Sequence, residues 1–140
     1  MSSNAILFPL FAMALLTLFI SMRLLQLRYR AVIQDGLNPR YFKHNRGAKP
    51  PEYVMRMEDH YTNTYEQPVL FYVVIILIYI TSQADLVLLL MAWLYVATRI
   101  LHAYIHIRYN KILWRRNAFL LSTLVVFTLW GYLFVQLINQ

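Results

Sequence analysis

A chain of 140 residues that is 60% hydrophobic, with mean hydropathy +0.48, is too apolar for an ordinary soluble domain. Its net charge is +7 and it has no cysteine, so no protein thiol can act as a nucleophile and disulfides give no indication of compartment. The basic residues sit at the edges of apolar runs rather than on a soluble face, which argues against nucleic-acid binding.

Uncharged stretches run over Met1–Met22, Gln67–Ala84 and Asn117–Gln140, and a shorter one over Leu86–Thr98 ends at Arg99. A membrane span needs about 20 mainly apolar residues. Three stretches meet or approach that length alone, and the fourth meets it only if Arg99 lies within the membrane. Four transmembrane helices are therefore expected, over about residues 5–29, 54–82, 86–110 and 114–137, forming one all-α membrane domain over 1–140. The first apolar run lacks a basic leader and a small-residue cleavage site and is too long for a signal-peptide core, so it reads as a span.

Between the first and second spans lie Arg28, Arg30, Arg40, Lys43, Arg46, Lys49 and Arg56. Between the third and fourth lie Arg108, Lys111, Arg115 and Arg116. The connection around Ser82–Asp85 and both tails have no Lys or Arg. The positive-inside rule places both basic loops in the cytoplasm and both termini on the opposite side, with anionic lipid as a partner of the basic edges. The long loop, about 31–52, carries the turn signals Asp35-Gly36, Asn38-Pro39, Arg46-Gly47 and Pro50-Pro51. It reads equally as a cover for a site and as a plain interfacial linker.

The second span opens on a polar segment. Arg56, Asp59, Asn63 and Glu66 are spaced three, four and three apart, which places them on one helical face, and Pro68 follows as a kink that frees the Thr64 carbonyl. On the third span Tyr95, Arg99, His102, His106 and Tyr109 form a matching face. A mid-span charge costs roughly 2.5–3.5 kcal/mol on insertion scales, so such residues usually face a partner or a cavity. Glu66 lies roughly 15 Å along its helix from Arg56, and Arg99 roughly 14 Å from Arg108, at 1.5 Å per residue. The similar depth points to a Glu66–Arg99 ion pair, either as glue between helices or as part of a site. His102 and His106, at i and i+4, and in principle His60 and Glu66, also admit a metal or haem, although no His-Glu-x-x-His motif is present. A His beside Arg and Tyr in a polar interface is the more ordinary reading, and no metal ligand is assigned. Arg23 reads as a snorkelling side chain or a site residue. Trp93, Trp114, Trp130 and Tyr132 read as packing or interfacial anchors.

Arg56, Asn63-x-x-Glu66-x-Pro68-x-x-Phe71, Arg99-x-x-His102 and an Arg115 opening the fourth span resemble the MAPEG family, the membrane-associated proteins in eicosanoid and glutathione metabolism. The resemblance covers essentially the whole chain. It implies a homotrimer of four-helix subunits with glutathione as co-substrate bound between neighbours near the cytoplasmic face. It also implies a transferase or peroxidase chemistry on lipophilic electrophiles or lipid peroxides. By that resemblance Arg115 stabilises the thiolate, and Arg23, Asn63, Glu66, Arg99 and His102 form the glutathione site. The chain departs from the family pattern at Asp59, where an Arg is usual, at His106 and Phe119, where a Tyr is usual, and at Arg116, where a small hydroxyl is usual. His106 is a candidate replacement donor. The alternative is a non-catalytic membrane protein of the same fold that binds a lipid or a protein partner.

Overall fold

The computed structural model describes residues 3–44, 49–109 and 111–139; the Arg46-Gly47 turn signal and the Asn110 boundary lie outside them. Every regular element among the described residues is helical. A 3-10 turn, Ser3–Ile6, leads into α1, Leu7–Ile33; α2 is a single turn, Tyr41–His44; α3, Glu52–Glu66, and α4, Pro68–Ile80, together make one span; α5 is Leu86–Arg108 and α6 is Ile112–Ile138. Ser3–Ile33, Glu52–Ile80, Leu86–Arg108 and Ile112–Ile138 are each long and apolar enough to cross a membrane, so the chain is a four-span integral membrane protein.

Away from the polar segments of α3 and α5, the spans are apolar on both their inner and outer faces, as expected where lipid replaces water outside. Phe11, Leu15, Leu90, Leu124 and Phe134 point outward, while Met13, Phe71, Ile78, Leu88 and Leu129 are fully buried. Phe71 and Tyr95 stack at 4.3 Å between ring centroids in the centre of that core. The packing is tightest between α5 and α6 and between α1 and α3.

The second span breaks where Pro68 removes a backbone donor. Gln67 forms a turn between α3 and α4, and the Leu70 amide bonds back to the Gln67 carbonyl at 3.1 Å, a tighter i−3 contact than an α-helix makes. At the far end, Thr81 caps α4 and Ser82 enters the left-handed region at φ 57. The Gln83 amide reaches the Ile78 carbonyl at 3.1 Å and the Ser82 amide reaches the Tyr79 carbonyl at 3.2 Å, the paired bonds of a Schellman ending. Asp85 then caps α5, its side chain accepting from the Leu88 amide at 2.7 Å.

The long loop is docked rather than free over its described part. Leu37 packs with Ala31 and Val54, flanked by Tyr41, Phe42 and Tyr53. Arg28 donates twice to Glu58, at 2.7 and 3.0 Å, and its guanidinium lies 5.0 Å from the Phe42 ring centroid. Arg30 lies over Tyr53, whose hydroxyl bonds to Asp35. The loop thus ties α1 to α3 at the end where the polar segments begin.

Candidate functional site

The polar face of α5 is where the spacing places it. Tyr95, Arg99, His102 and His106 are all buried, and only Tyr109, past the helix end, is exposed. The polar face of α3 is rotated by one residue from the charged stripe. The buried positions are Met57, His60 and Thr64, continued by Gln67 and Phe71, while Asp59 and Glu66 are exposed. Adjacent helical positions differ by about 100°, so the charged stripe faces the flank of the helix and the neighbouring stripe faces α5.

This corrects the expected ion pair. Arg99, 2% exposed, donates to Gln67 Oε1 at 2.8 Å and to the Asn63 backbone carbonyl at 3.3 Å. No carboxylate among the described residues lies within ion-pair distance of it. Gln67 in turn donates to Thr123 at 2.7 Å and accepts from Ser122 at 3.0 Å. One side-chain amide at the α3–α4 break therefore joins α5 to α6, and a neutral acceptor partners the guanidinium where a carboxylate was expected.

Toward the basic-loop end from Arg99 the two polar faces meet at three histidines. His60 and His106 ring centroids are 4.7 Å apart, His60 and His102 5.6 Å, and His102 and His106 5.8 Å. All three are 1–2% exposed. Arg115, at the start of α6, donates from Nη1 to His106 Nε2 at 3.3 Å. An arginine only donates, so His106 Nε2 accepts and the ring proton sits on Nδ1.

The histidines form a wall between two cavities. One, of about 280 Å³, is lined by Arg23, Arg30, Tyr53, Arg56, His60 and His106 among others. The other, of about 290 Å³, is lined by Asn63, His102, Ile112, Arg115, Arg116 and Phe119. Within one chain the residues singled out in sequence thus divide four ways. Asn63, His102 and Arg115 share one cavity. Arg23 and His106 line the other. Arg99 is buried in the helix-joining network, and Glu66 is exposed and lines neither cavity. Sequence reasoning passed over Gln67, the central acceptor. The signal for it was available: the apolar face Phe71, Val74, Ile75 and Ile78, continued backward at helical spacing, passes through Gln67, Thr64 and His60 and not through Glu66.

The family model of the MAPEG family matches residues 6–135. No curated protein and no solved structure matches the chain.

Proposed function

Because the chain belongs to the MAPEG family, we propose that it is a glutathione-dependent transferase or peroxidase acting on lipophilic electrophiles or lipid peroxides, working as a homotrimer with glutathione held between neighbouring subunits. The observation that carries this reading is the cavity where Asn63, His102, Arg115 and Arg116 converge. It opens at the basic-loop end of the bundle, which we place in the cytoplasm, where glutathione is dissolved.

The residue types fit that co-substrate. Glutathione carries two carboxylates, and guanidinium groups capture carboxylates with paired hydrogen bonds; Arg116 is available for one, and Arg23 of an adjacent subunit is the candidate for the other. Glu66, exposed on the outer flank of α3, is placed to accept from the glutathione amine across a subunit boundary. A nearby guanidinium lowers a thiol pKa and raises the thiolate fraction at neutral pH, which is the role assigned to Arg115. His106 orients Arg115 through their hydrogen bond. Arg99 acts indirectly, fixing Asn63 through its carbonyl.

In conjugation, the thiolate sulfur forms a bond to the electrophilic carbon as a leaving group departs with its electron pair. In peroxide reduction, the thiolate attacks one peroxide oxygen, the O–O bond breaks, and the departing alkoxide takes a proton. A second glutathione then converts the sulfenic acid to a disulfide with release of water. A second reading is favoured by Phe119, which lines the cavity without the hydroxyl usual there: a non-catalytic protein of the same fold that binds a lipid or partner.

A thermal-stability titration of detergent-purified protein with glutathione and S-hexylglutathione separates the two. A saturable rise in Tm, lost in Arg115→Ala with the oligomer intact, supports the thiol site. No rise at millimolar ligand on folded, trimeric protein selects the non-catalytic reading.

A further inference from the structure

We propose that His60, His102 and His106 form a three-imidazole site for a late first-row transition-metal ion inside the bundle. A ligand nitrogen from each ring lies within 4.8 Å of the others. His102 and His106, one turn apart, present two ligands from one face of α5, and His60 supplies the third across the α3–α5 contact. Three imidazoles with an open fourth position are a recurrent donor set for zinc, and imidazole also suits copper, iron and nickel.

The independent observation is that these rings are left without partners. Five of the six ring nitrogens, both of His60, both of His102 and Nδ1 of His106, are buried with no hydrogen-bond partner. An unsatisfied buried polar atom costs about 1–3 kcal/mol. Elsewhere among the described residues Gln67, Ser122 and Thr64 are hydrogen-bonded, and the other buried atoms without a hydrogen-bond partner, Arg56 Nε, Tyr95 Oη and Gln136 Oε1, occur one to a side chain rather than as a cluster. One nitrogen from each of the three rings comes within reach of a common point, and a metal ion there satisfies three buried imidazoles in a single event.

The geometry needs a small adjustment. A tetrahedral ion with metal–nitrogen bonds of about 2.0–2.1 Å holds its nitrogens about 3.3 Å apart. The widest ligand pair therefore has to draw in by at most about 1.5 Å, and the imidazole χ2 torsion is soft enough to allow it. No carboxylate joins the set, so a divalent ion keeps its full charge beside Arg115. The fourth position then takes an anion, hydroxide in the simplest case. His60 and His106 also line the cavity that contains Arg23, Arg30 and Arg56, an electropositive approach for that anion.

His106 also couples the ion to Arg115. Its Nε2 now accepts from Arg115. A metal at Nε2 takes that lone pair, and a metal at Nδ1 sends the ring proton to Nε2. In both cases the Arg115 hydrogen bond is given up, so the ion and Arg115 compete for one ring.

The test uses full-length protein carrying a streptavidin-binding tag in place of polyhistidine, purified in detergent and stripped with chelator. Addition of Co2+ is expected to give visible d–d absorption saturating at one ion per chain, displaced by Zn2+. His60→Phe and His106→Phe are expected to weaken binding by on the order of a hundredfold, while a variant at the remaining histidine, His44→Ala, binds normally. Arg115→Met, which leaves the three ligands in place, is expected to bind about tenfold more tightly, the equivalent of one released hydrogen bond. The proposal is overturned if folded wild-type protein gives no cobalt spectrum and no stoichiometric zinc. It is equally overturned if the His60 and His106 variants bind as wild type, if binding follows His44, or if Arg115→Met binds no tighter.

Discussion

The two ends of the bundle hold their principal polar groups differently. At the turn between α4 and α5, the Asp85 carboxylate accepts three hydrogen bonds. One oxygen accepts from the Leu88 amide, and the other accepts from Tyr132 at 3.1 Å and Gln136 at 2.7 Å. That single carboxylate closes the cap of α5 and pins it to the last turns of α6. At the basic-loop end, three histidines are brought together and most of their nitrogens are left unpaired. A polar group whose bonding capacity is met inside the protein holds the fold. Three imidazoles brought together, in a setting where open capacity is costly, are on the proposal above kept for an ion that arrives from outside. Between the ends lies Arg99, a buried guanidinium that donates to Gln67 and to the Asn63 carbonyl.

Substitutions can break this contrast in graded fashion. The largest stability effect is expected for Gln67→Leu, which removes the side-chain acceptor shared by Arg99 and Ser122: leaving a buried charged donor short of a partner costs about 3 kcal/mol or more. Glu66→Gln, one residue earlier, is expected to change unfolding in mixed micelles by less than about 0.5 kcal/mol. Equal effects of the two would restore the Glu66–Arg99 pair and refute the rotation of α3 described above. Asp85→Ala comes next. It removes a helix cap and leaves Tyr132 and Gln136 without their acceptor, for a loss of about 1–3 kcal/mol, read as a lower denaturation midpoint with the metal-binding end unaffected. The smallest effect has the opposite sign. Ser82 occupies a left-handed position at φ 57 that glycine adopts without strain, so Ser82→Gly is expected to raise stability by about 0.5 kcal/mol. A fall in Tm would mean that the Ser82 side chain contributes a contact that outweighs the strain.

The spans were legible in sequence to within a few residues, because each is a long apolar run bounded by charge or turn residues. Residues 86–110 became α5, Leu86–Arg108, and residues 114–137 became α6, Ile112–Ile138. The first span extends further than expected, to Ile33, because Arg28 and Arg30 are good helix formers and are tied down by Glu58 and Tyr53. The inward face of α5 was legible too, since its polar residues lie on the same stripe as its core residues. The inward face of α3 was misassigned for a physical reason: this helix is polar on two adjacent stripes, and the charged one is the more conspicuous while the neutral one, His60, Thr64 and Gln67, is the one buried on the inner side, where His60 and Gln67 meet α5. The division of the candidate residues between two cavities was not legible at all. It depends on how far each helix is rotated about its own axis, which only the packing of all four spans determines.

The break at Gln67 and Pro68 has a mechanical consequence. With one backbone bond missing and the next shortened to i−3, this is the most compliant joint in the second span. Everything on its loop side, His60 and Asn63 included, belongs to one stiff lever, while Phe71 to Ile78 on the other side is anchored in the apolar core. The Arg99–Gln67 hydrogen bond crosses the joint at its pivot, where it bears little leverage. A tilt of the lever about that pivot would move His60 toward or away from α5 by a distance that grows with its separation from the joint, leaving the core packing as it was.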